Sequence, residues 1–207
     1  QEPEFLRGVR ELCDAHDVLL IADEVMTGFG RTGKMFACEH AEISPDLLCL
    51  SKAITGGSLP LSATMVREHL WEAFLSQEKQ RAFLHGHSYP GNPIACAAAV
   101  ANLNIFASEP VFKRIEAIEA VYEERLPALL EYDAVSEVRW LGTIGAVELK
   151  SDVKGYMSNK AATLASQFLD HGFLMRPLGP VLYTMPPYCT NSEELHALYD
   201  VFEKLLS

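Results

Sequence analysis

Two short, continuous apolar runs stand out in the first quarter of the chain, VLLIA at residues 18–22 and LLCL at residues 47–50. Such runs of apolar, partly β-branched residues are typical of strands buried on both faces of a parallel sheet. Asp23 follows the first run directly, and Lys52 follows the second after one serine. Because ligands of parallel sheets bind beyond the carboxyl ends of the strands, the pattern predicts that a carboxylate and a lysine amine meet at one edge.

Helical periodicity alternates with these strands up to about residue 107. The pattern predicts helices over residues 4–16, 67–80 and 93–106, and a further short strand over residues 61–66. The loop HGHSYPGNP precedes the third, alanine-rich helix. There Asn92 is placed to cap the helix, and Pro93 fits its first turn.

The pattern changes near Ser108. It then predicts a charged helix over residues 109–131, strands at 135–141 and 143–150 around Gly142, a helix at 159–171 ended by Gly172, strands at 173–177 and 181–185, and a helix from Ser192 through Leu206. The sequence therefore predicts the α/β class: the C-terminal part of a large, mostly parallel α/β domain (1–107), followed by a small α+β domain (108–207).

Composition narrows the class of protein. Of the 207 residues, 49% are hydrophobic, which is enough for a sizeable core, and no segment is long and apolar enough to span a membrane. The formal charge of −11 argues against nucleic acid as a partner, because phosphate binding needs clustered Lys and Arg. The five cysteines are scattered and contain no CxxC, which favours unpaired thiols in a reducing compartment, and we expect a cytoplasmic protein.

The segment GFGRTGK, Gly28 to Lys34, fits the first seven positions of a phosphate-binding P-loop and follows a predicted strand. The eighth position of a P-loop is Ser or Thr, which holds Mg²⁺, but here it is Met35. Asp23 and Glu24 would also place negative charge close to bound phosphates. A P-loop nucleotide hydrolase is therefore a remote alternative.

The pair His85-x-His87 has the spacing of two imidazole ligands on one strand face. A zinc site needs at least a third protein ligand, and no second cluster in the sequence supplies one. We therefore predict no metal site.

Asp23 and Lys52 form a sharper pair. An unprotonated lysine amine can form a Schiff base with an aldehyde, and a nearby carboxylate can stabilise a protonated heterocyclic nitrogen. Pyridoxal phosphate needs both groups. On spacing alone the pair is equally compatible with a strand-end cap and a solvated lysine.

The segments LLIADEVMTGFGRTGKMFACEH and PDLLCLSKAITGG resemble the signature of class III, or omega-type, pyridoxal-phosphate aminotransferases. The resemblance implies a fold-type-I enzyme that transfers an amino group between an amino donor and an oxo acid. It implies that Asp23 pairs with the pyridinium nitrogen of pyridoxal 5′-phosphate. It also implies that Lys52 forms the Schiff base and, once freed, moves the proton between donor and cofactor carbons.

Three further segments, HGHSYPGNPIACAAA, WLGTIGAVEL and MRPLGPVLYTMPPY, are similar to one member of this family. By that resemblance Gly86, His87 and Ser88 form a loop that meets the cofactor phosphate and the substrate across the interface of a homodimer. The family more often has Pro-Thr where this chain has His87-Ser88. Ser88 keeps the hydroxyl.

The resemblance also gives roles to three residues of the substrate pocket. Arg176 falls at the position that clamps the carboxylate of the oxo acid, and a guanidinium suits that bidentate contact. Arg31 and Tyr183 match positions that line the same pocket.

The resemblance covers nearly all of the chain but only the C-terminal half of the family's length. The residue that stacks on the cofactor ring, another phosphate-binding turn and much of the donor pocket are then expected upstream. The alternatives are another omega-aminotransferase or an aminomutase, of the 4-aminobutyrate, ornithine or glutamate-semialdehyde type. An inactive half that serves only as an assembly partner is a further alternative.

Overall fold

A computed structural model describes residues 2–151 and 160–207 of the chain. The helices are α1 Pro3–Ala15, α2 Glu68–Glu72, α3 Pro93–Ser108, α4 Val111–Arg125, α5 Lys160–Asp170 and α6 Ser192–Leu206. The strands are β1 Ile21–Asp23, β2 Leu47–Leu50, β3 Ala63–Val66, β4 Val135–Leu141, β5 Ile144–Leu149, β6 Arg176–Leu178 and β7 Val181–Thr184. The chain divides into two compact units, residues 1–109 and 110–207.

The first unit contains a three-stranded sheet in the order β1-β2-β3. β1 and β2 are parallel neighbours, as the two apolar runs predict, with Asp23 opposite Cys49. β3 runs antiparallel to β2, with Leu50 opposite Ala63. The sheet that the described residues form is therefore mixed, with one parallel and one antiparallel pair.

The prediction that the first apolar run is a strand buried on both faces is wrong for the described chain. Val18 is 55% exposed and Ile21 is 61% exposed. The strand also begins later than predicted, at Ile21. The reason is a contact between separate segments, because the carboxylate of Asp46, 26 residues further along the chain, accepts the Leu20 N–H at 2.8 Å. A side chain thus occupies the amide that would otherwise start the ladder.

Asp46 is buried and joins α1 to this sheet. Its Oδ2 accepts from Arg10 Nη1 at 2.7 Å, and its Oδ1 lies 3.5 Å from Arg67 Nε. The Leu20 N–H and the Arg10 guanidinium together hold the pKa of the Asp46 carboxyl below its ordinary value. A buried ion pair with these additional hydrogen bonds fixes the start of both parallel strands.

The helix predicted over residues 67–80 is also wrong, since α2 ends at Glu72. Beyond it, Ser76 Oγ accepts the Glu78 N–H at 3.0 Å. Serine side chains that bond the backbone two residues on favour turns over helices. The third predicted helix is confirmed as α3, and Asn92 Oδ1 accepts from Ile94 N at 3.0 Å as its cap.

The second unit has a four-stranded antiparallel sheet in the order β4-β5-β7-β6. Helices α4, α5 and α6 pack around a core that includes Tyr122, Phe168, Tyr199 and Phe202, each at most 1% exposed. This is the predicted α+β arrangement. Residue 159, where the helix that became α5 was predicted to begin, lies outside the described residues.

Two breaks in this unit follow from single residues. The predicted helix 109–131 ends as α4 at Arg125, and a 3₁₀ turn follows from Pro127, because proline cannot continue the α-helical hydrogen bonds. Gly142 joins β4 to β5 with φ +57°, and Gly172 ends the α5 segment with φ +87°. Both conformations favour glycine over residues with a side chain.

No single helix in the described part of the chain is long and apolar enough to cross a membrane. The helical segments Pro93–Ser108 and Val111–Glu131 pass that test only together, as a bent pair.

Candidate active site

The carboxyl ends of β1 and β2 lie side by side, because the two strands are parallel and in register. Asp23 is the last residue of β1, and its Oδ1 accepts the Val25 N–H at 3.0 Å. Lys52 follows β2 after one residue. Both side chains are exposed at the same edge of the sheet. The structure therefore brings together the two strand ends that the sequence places at one edge.

Lys52 begins a 3₁₀ turn, Lys52–Thr55, which we call the lysine turn. The φ of Lys52 is +43°, a left-handed conformation that residues with a side chain rarely adopt. Such backbone conformations cost about 1–3 kcal/mol and concentrate at functional sites. Asp17, Phe29 and Glu42 also have a positive φ, so this conformation supports a functional role for Lys52 only together with its place beside the end of β1.

Hydrogen bonds on both sides fix the lysine turn. Before it, Ser51 Oγ donates to Leu61 O at 2.8 Å. At its end, the buried Thr55 Oγ1 donates to Leu59 O at 2.6 Å. The chain then reverses at Gly56, whose φ is +62°. These contacts hold Lys52 between β2 and the segment that leads to β3.

A cleft of about 630 Å³ opens beside the lysine turn. Ser51, Ser62, His87 and Asn92 are among the residues that line it. Small-molecule sites are typically clefts of this size with a few convergent polar groups. The predicted loop residue His87 thus lines the same cleft as Ser51, the residue before Lys52. The other two predicted loop residues, Gly86 and Ser88, are its chain neighbours and are exposed.

The glycine loop, residues 28–34, is held by Glu24, which is 2% exposed. Its carboxylate accepts from the Thr27 hydroxyl, from Ala37 N at 2.9 Å and from Cys38 N at 2.8 Å. Burial, and then the Glu24 carboxylate, raises the pKa of the Cys38 thiol to about 12. Glu24 is therefore a structural acceptor that closes the loop around Arg31.

The glycine loop is not a phosphate-binding P-loop. Two of its amides bond to carbonyls of residues that flank the loop: Gly28 N donates to Glu24 O at 2.9 Å, and Phe29 N donates to Met35 O at 2.6 Å. A 3₁₀ turn at Ala37–Ala41 follows, where a P-loop needs the start of an α-helix. The amides of Gly28 and Phe29 are thus occupied by carbonyls, and the geometry excludes the nucleotide hydrolase.

His85 and His87 are both exposed, and His87 Nδ1 accepts the Tyr89 N–H at 3.1 Å. Among residues 2–151 and 160–207 there is no group of three or more His, Cys, Asp or Glu side chains placed to hold a metal ion.

Two predicted pocket residues lie in the second unit. Arg176 begins β6 and stands directly opposite Tyr183 of β7 in the antiparallel ladder. Residues opposite each other in a ladder present their side chains on the same face of the sheet. Arg176 is exposed and Tyr183 is half-buried, so a guanidinium and a phenol share one face of this sheet.

Sequence reasoning missed two residues that hold these elements. It left Glu24 out of the site, and it gave no role to Asn102 of α3, whose Nδ2 donates to Ala53 O of the lysine turn at 2.8 Å. The only signal for Asn102 is a polar residue within an apolar, alanine-rich helix, and for Glu24 an acid directly after a strand.

A family model for class III aminotransferases matches residues 1–206. The chain therefore belongs to the class III aminotransferases, a family of pyridoxal-phosphate-dependent transaminases with the fold-type-I architecture, as the signature predicts.

The adenosylmethionine-8-amino-7-oxononanoate aminotransferase of Geobacter sulfurreducens is 42% identical over 98% of this chain and 46% of its own length. The crystal structure of the enzyme of that name from Methanocaldococcus jannaschii matches with a TM-score of 0.89 at 36% identity, over 97% of this chain and 49% of that chain. The acetylornithine aminotransferase of Elizabethkingia anophelis matches with a TM-score of 0.86 at 33% identity, over 100% of this chain and 49% of that chain. The chain thus spans about half the length of the curated relatives it matches.

The groups in the first unit fit pyridoxal phosphate. The exposed Asp23 carboxylate ends β1, and the exposed Lys52 amine follows the adjacent strand β2 after one residue, on a turn with a positive φ. Serine hydroxyls and an imidazole line the cleft beside them. These are the nucleophile, the partner for a ring nitrogen and the hydrogen-bonding groups that the chemistry of this cofactor requires.

Proposed function

We propose that the intact enzyme transfers an amino group from S-adenosyl-L-methionine to 8-amino-7-oxononanoate, giving 7,8-diaminononanoate, a step of biotin biosynthesis. The observation that carries the proposal is the similarity of the whole chain to relatives that bear this name, at 42% identity in one case. The adjacent ends of β1 and β2, with Lys52 in a left-handed conformation, support the transaminase chemistry itself.

In this proposal Lys52 holds pyridoxal phosphate through its Nζ, and Asp23 accepts a hydrogen bond from the protonated ring nitrogen at a carboxylate oxygen. When bound, the cofactor supplies an electrophilic carbon for the amino group and a ring that withdraws electrons from the reacting bond. The freed amine of Lys52 would take a proton at Nζ from the donor carbon and return it to the cofactor carbon on the other side of the amino nitrogen. A negatively charged carboxylate beside the ring nitrogen favours the protonated form of that nitrogen.

The remaining predicted residues bind and orient. Gly86, His87 and Ser88 contact the cofactor phosphate and the substrate, and a hydroxyl with backbone N–H groups suits a phosphate. Arg176 binds the oxo-acid carboxylate through its planar guanidinium. Tyr183, opposite Arg176 in the ladder, lines the same pocket, which supports a shared role.

Arg31 is the further residue that we place at the substrate pocket. It lies on the glycine loop, which is held by the Glu24 carboxylate through hydrogen bonds from the Ala37 and Cys38 N–H groups. A loop fixed in this way presents Arg31 without the entropy cost of ordering a flexible segment.

The lysine is the sharpest test of the cofactor proposal. The intact enzyme loaded with pyridoxal phosphate should show an absorption band in the visible. Lys52→Ala should abolish this band and lower kcat by at least about 10³-fold. Lys113→Ala, an exposed lysine on α4, is the matched control and should keep both. A visible band that survives in Lys52→Ala contradicts the assignment.

The substrate proposal has a separate test. Amine transfer from S-adenosyl-L-methionine and from lysine should be measured to 8-amino-7-oxononanoate and to other oxo acids. Preference for 4-aminobutyrate or ornithine as donor contradicts the proposed substrate. It would favour an omega-aminotransferase of another type, as the match to an acetylornithine aminotransferase illustrates.

We further propose a cytoplasmic homodimer with shared sites. The five cysteines are unpaired thiols, which suits a reducing compartment. If Ser88 serves the cofactor of the neighbouring subunit, two inactive variants, Lys52→Ala and Ser88→Ala, should regain activity when unfolded and refolded together. Mixed dimers then contain one site with both residues intact. No recovery on mixing, or full cofactor occupancy in a monomer, contradicts shared sites.

A further inference from the structure

Asn102 lies half-buried in the middle of α3. Its Nδ2 donates to Ala53 O at 2.8 Å and to Ile54 O at 3.4 Å. Both acceptors are main-chain carbonyls of the lysine turn, 48 and 49 residues earlier in the chain. A single amide therefore ties the turn that begins with Lys52 to a helix from another part of the sequence.

We propose that Asn102 is a positioning residue for Lys52, acting through the lysine turn. The proposal rests on the role proposed for Lys52 above. Asn102 does not contact the reacting groups; it fixes the backbone from which Lys52 extends. Catalysis by a proton carrier is sensitive to its position, since a displacement of about 1 Å can cost about 10²-fold in rate.

The other hydrogen bonds of the lysine turn are short-range. Gly56 N donates to Ala53 O at 3.0 Å and Gly57 N to Lys52 O at 3.1 Å, and the Ser51 and Thr55 side chains bond to residues at most ten positions away. The left-handed φ of Lys52, +43°, persists only when the surrounding structure imposes it. Asn102 supplies an anchor from outside the turn.

The chain after the lysine turn also lies near the Asn102 amide. A Cβ placed on Gly56, the residue after the turn, would lie 3.4 Å from Asn102 Oδ1, at van der Waals distance. Gly56 has a φ of +62° and so favours glycine for its backbone.

The helix that carries Asn102 also forms a wall of the cleft. Asn92, the cap of α3, and Ile94 and Ala95 in its first turn line the same cleft as Ser51. Asn102 therefore ties the lysine turn to the helix whose first turn borders the cleft.

Asn102→Asp in the intact enzyme is the test, because it preserves size and replaces the donor NH₂ with an oxygen that repels the two carbonyls. We expect kcat to fall about tenfold, which corresponds to about 1.4 kcal/mol, while KM for the oxo acid changes less than about twofold. The pH midpoint of the Lys52-dependent visible band should shift by about half a unit or more. Asn104→Asp, on the same helix but exposed, is the matched control and should change none of these.

A cofactor-free measurement completes the experiment. Hydrogen exchange of the Gly56 and Gly57 amides should become faster in Asn102→Asp and in Asn102→Ala, but not in Asn104→Asp. The proposal is overturned if a folded Asn102 variant keeps both the wild-type exchange rates of the Gly56 and Gly57 amides and the wild-type pH midpoint of the visible band. This holds even if its thermal stability falls. If the wild-type enzyme lacks the band, the proposed function fails, whereas the exchange comparison still decides whether Asn102 holds the turn.

Discussion

The two units of the chain are stabilised in different ways. The second unit is closed around its own core, where Tyr122, Tyr199 and Phe202 are at most 1% exposed. The first leaves large apolar side chains in the open, with Ile21 61% and Leu84 90% exposed. Because the curated relatives are about twice as long as this chain, we expect the additional chain in them to cover surfaces of this kind.

The first unit relies instead on buried polar groups. Glu24, Asp46 and Thr55 are each at most 6% exposed, and the side chain of each makes at least one hydrogen bond to the backbone. These groups fix the strand ends, the glycine loop and the lysine turn. The region with the proposed chemistry is therefore ordered by hydrogen bonds and ion pairs, whereas the second unit is ordered by apolar packing.

The largest effect on stability is expected in the second unit. Phe202→Ala removes a ring that lies 4.5 Å from Phe168 and 5.4 Å from Tyr199 between centroids, and should lower the free energy of unfolding by about 4 kcal/mol. Phe5→Ala on α1, 57% exposed, is the control and should cost less than about 1 kcal/mol. Denaturant unfolding followed by circular dichroism measures both, and equal losses would contradict the contrast between the units.

The second largest effect on stability is expected from the buried ion pair between Arg10 and Asp46 in the first unit. Arg10 pairs with both Asp14 and Asp46, but the Asp14 side chain is 65% exposed and the Asp46 side chain 7%. Asp46→Asn should cost about 3 kcal/mol because it leaves the guanidinium without its buried partner. Asp14→Asn should cost less than about 1 kcal/mol.

This difference should depend on pH. The pKa of Asp46 is lowered by folding, so its stabilisation is complete above the unfolded value of about 4 and is lost as pH falls through the lower folded value. Unfolding measured from pH 7 down to pH 3 should therefore show the wild-type protein and Asp46→Asn converging at the acid end. A gap that stays constant to pH 3 would assign the effect to packing.

The smallest effect concerns a single thiol. With a pKa of about 12, Cys38 should be alkylated very slowly at pH 8, where its thiolate fraction is on the order of 10⁻⁴, whereas the exposed Cys189 should react readily. Glu24→Gln should lower the pKa of Cys38 and speed its alkylation, and Glu39→Gln should do so much less. Mass spectrometry of the labelled peptides measures each site, and equal rates for Cys38 and Cys189 would contradict the burial of the loop.

Much of the fold could be predicted from the sequence because its signals are local. The Asn92 cap and the glycine turns at Gly142 and Gly172 depend only on hydrogen bonds and sterics within a few residues. The break at Pro127 is equally local, but the predicted helix over residues 109–131 runs through it. The two apolar runs likewise predict that Asp23 and Lys52 end neighbouring strands, because parallel strands deliver their carboxyl ends to one edge.

Other features were decided by the tertiary structure alone. The antiparallel direction of β3, the shortening of β1 by the Asp46 carboxylate and the open faces of the first sheet depend on segments far apart in the chain. Short-range rules carry no information about such contacts.

The lysine site divides in the same way. Residue types and spacing single out Lys52, because the chemistry of an amine at a strand end is a property of the residue itself. The hydrogen bond from Asn102 to Ala53, 49 residues earlier in the chain, exists only once α3 packs against the lysine turn. Packing brings these groups together, and no local pattern in the chain records it.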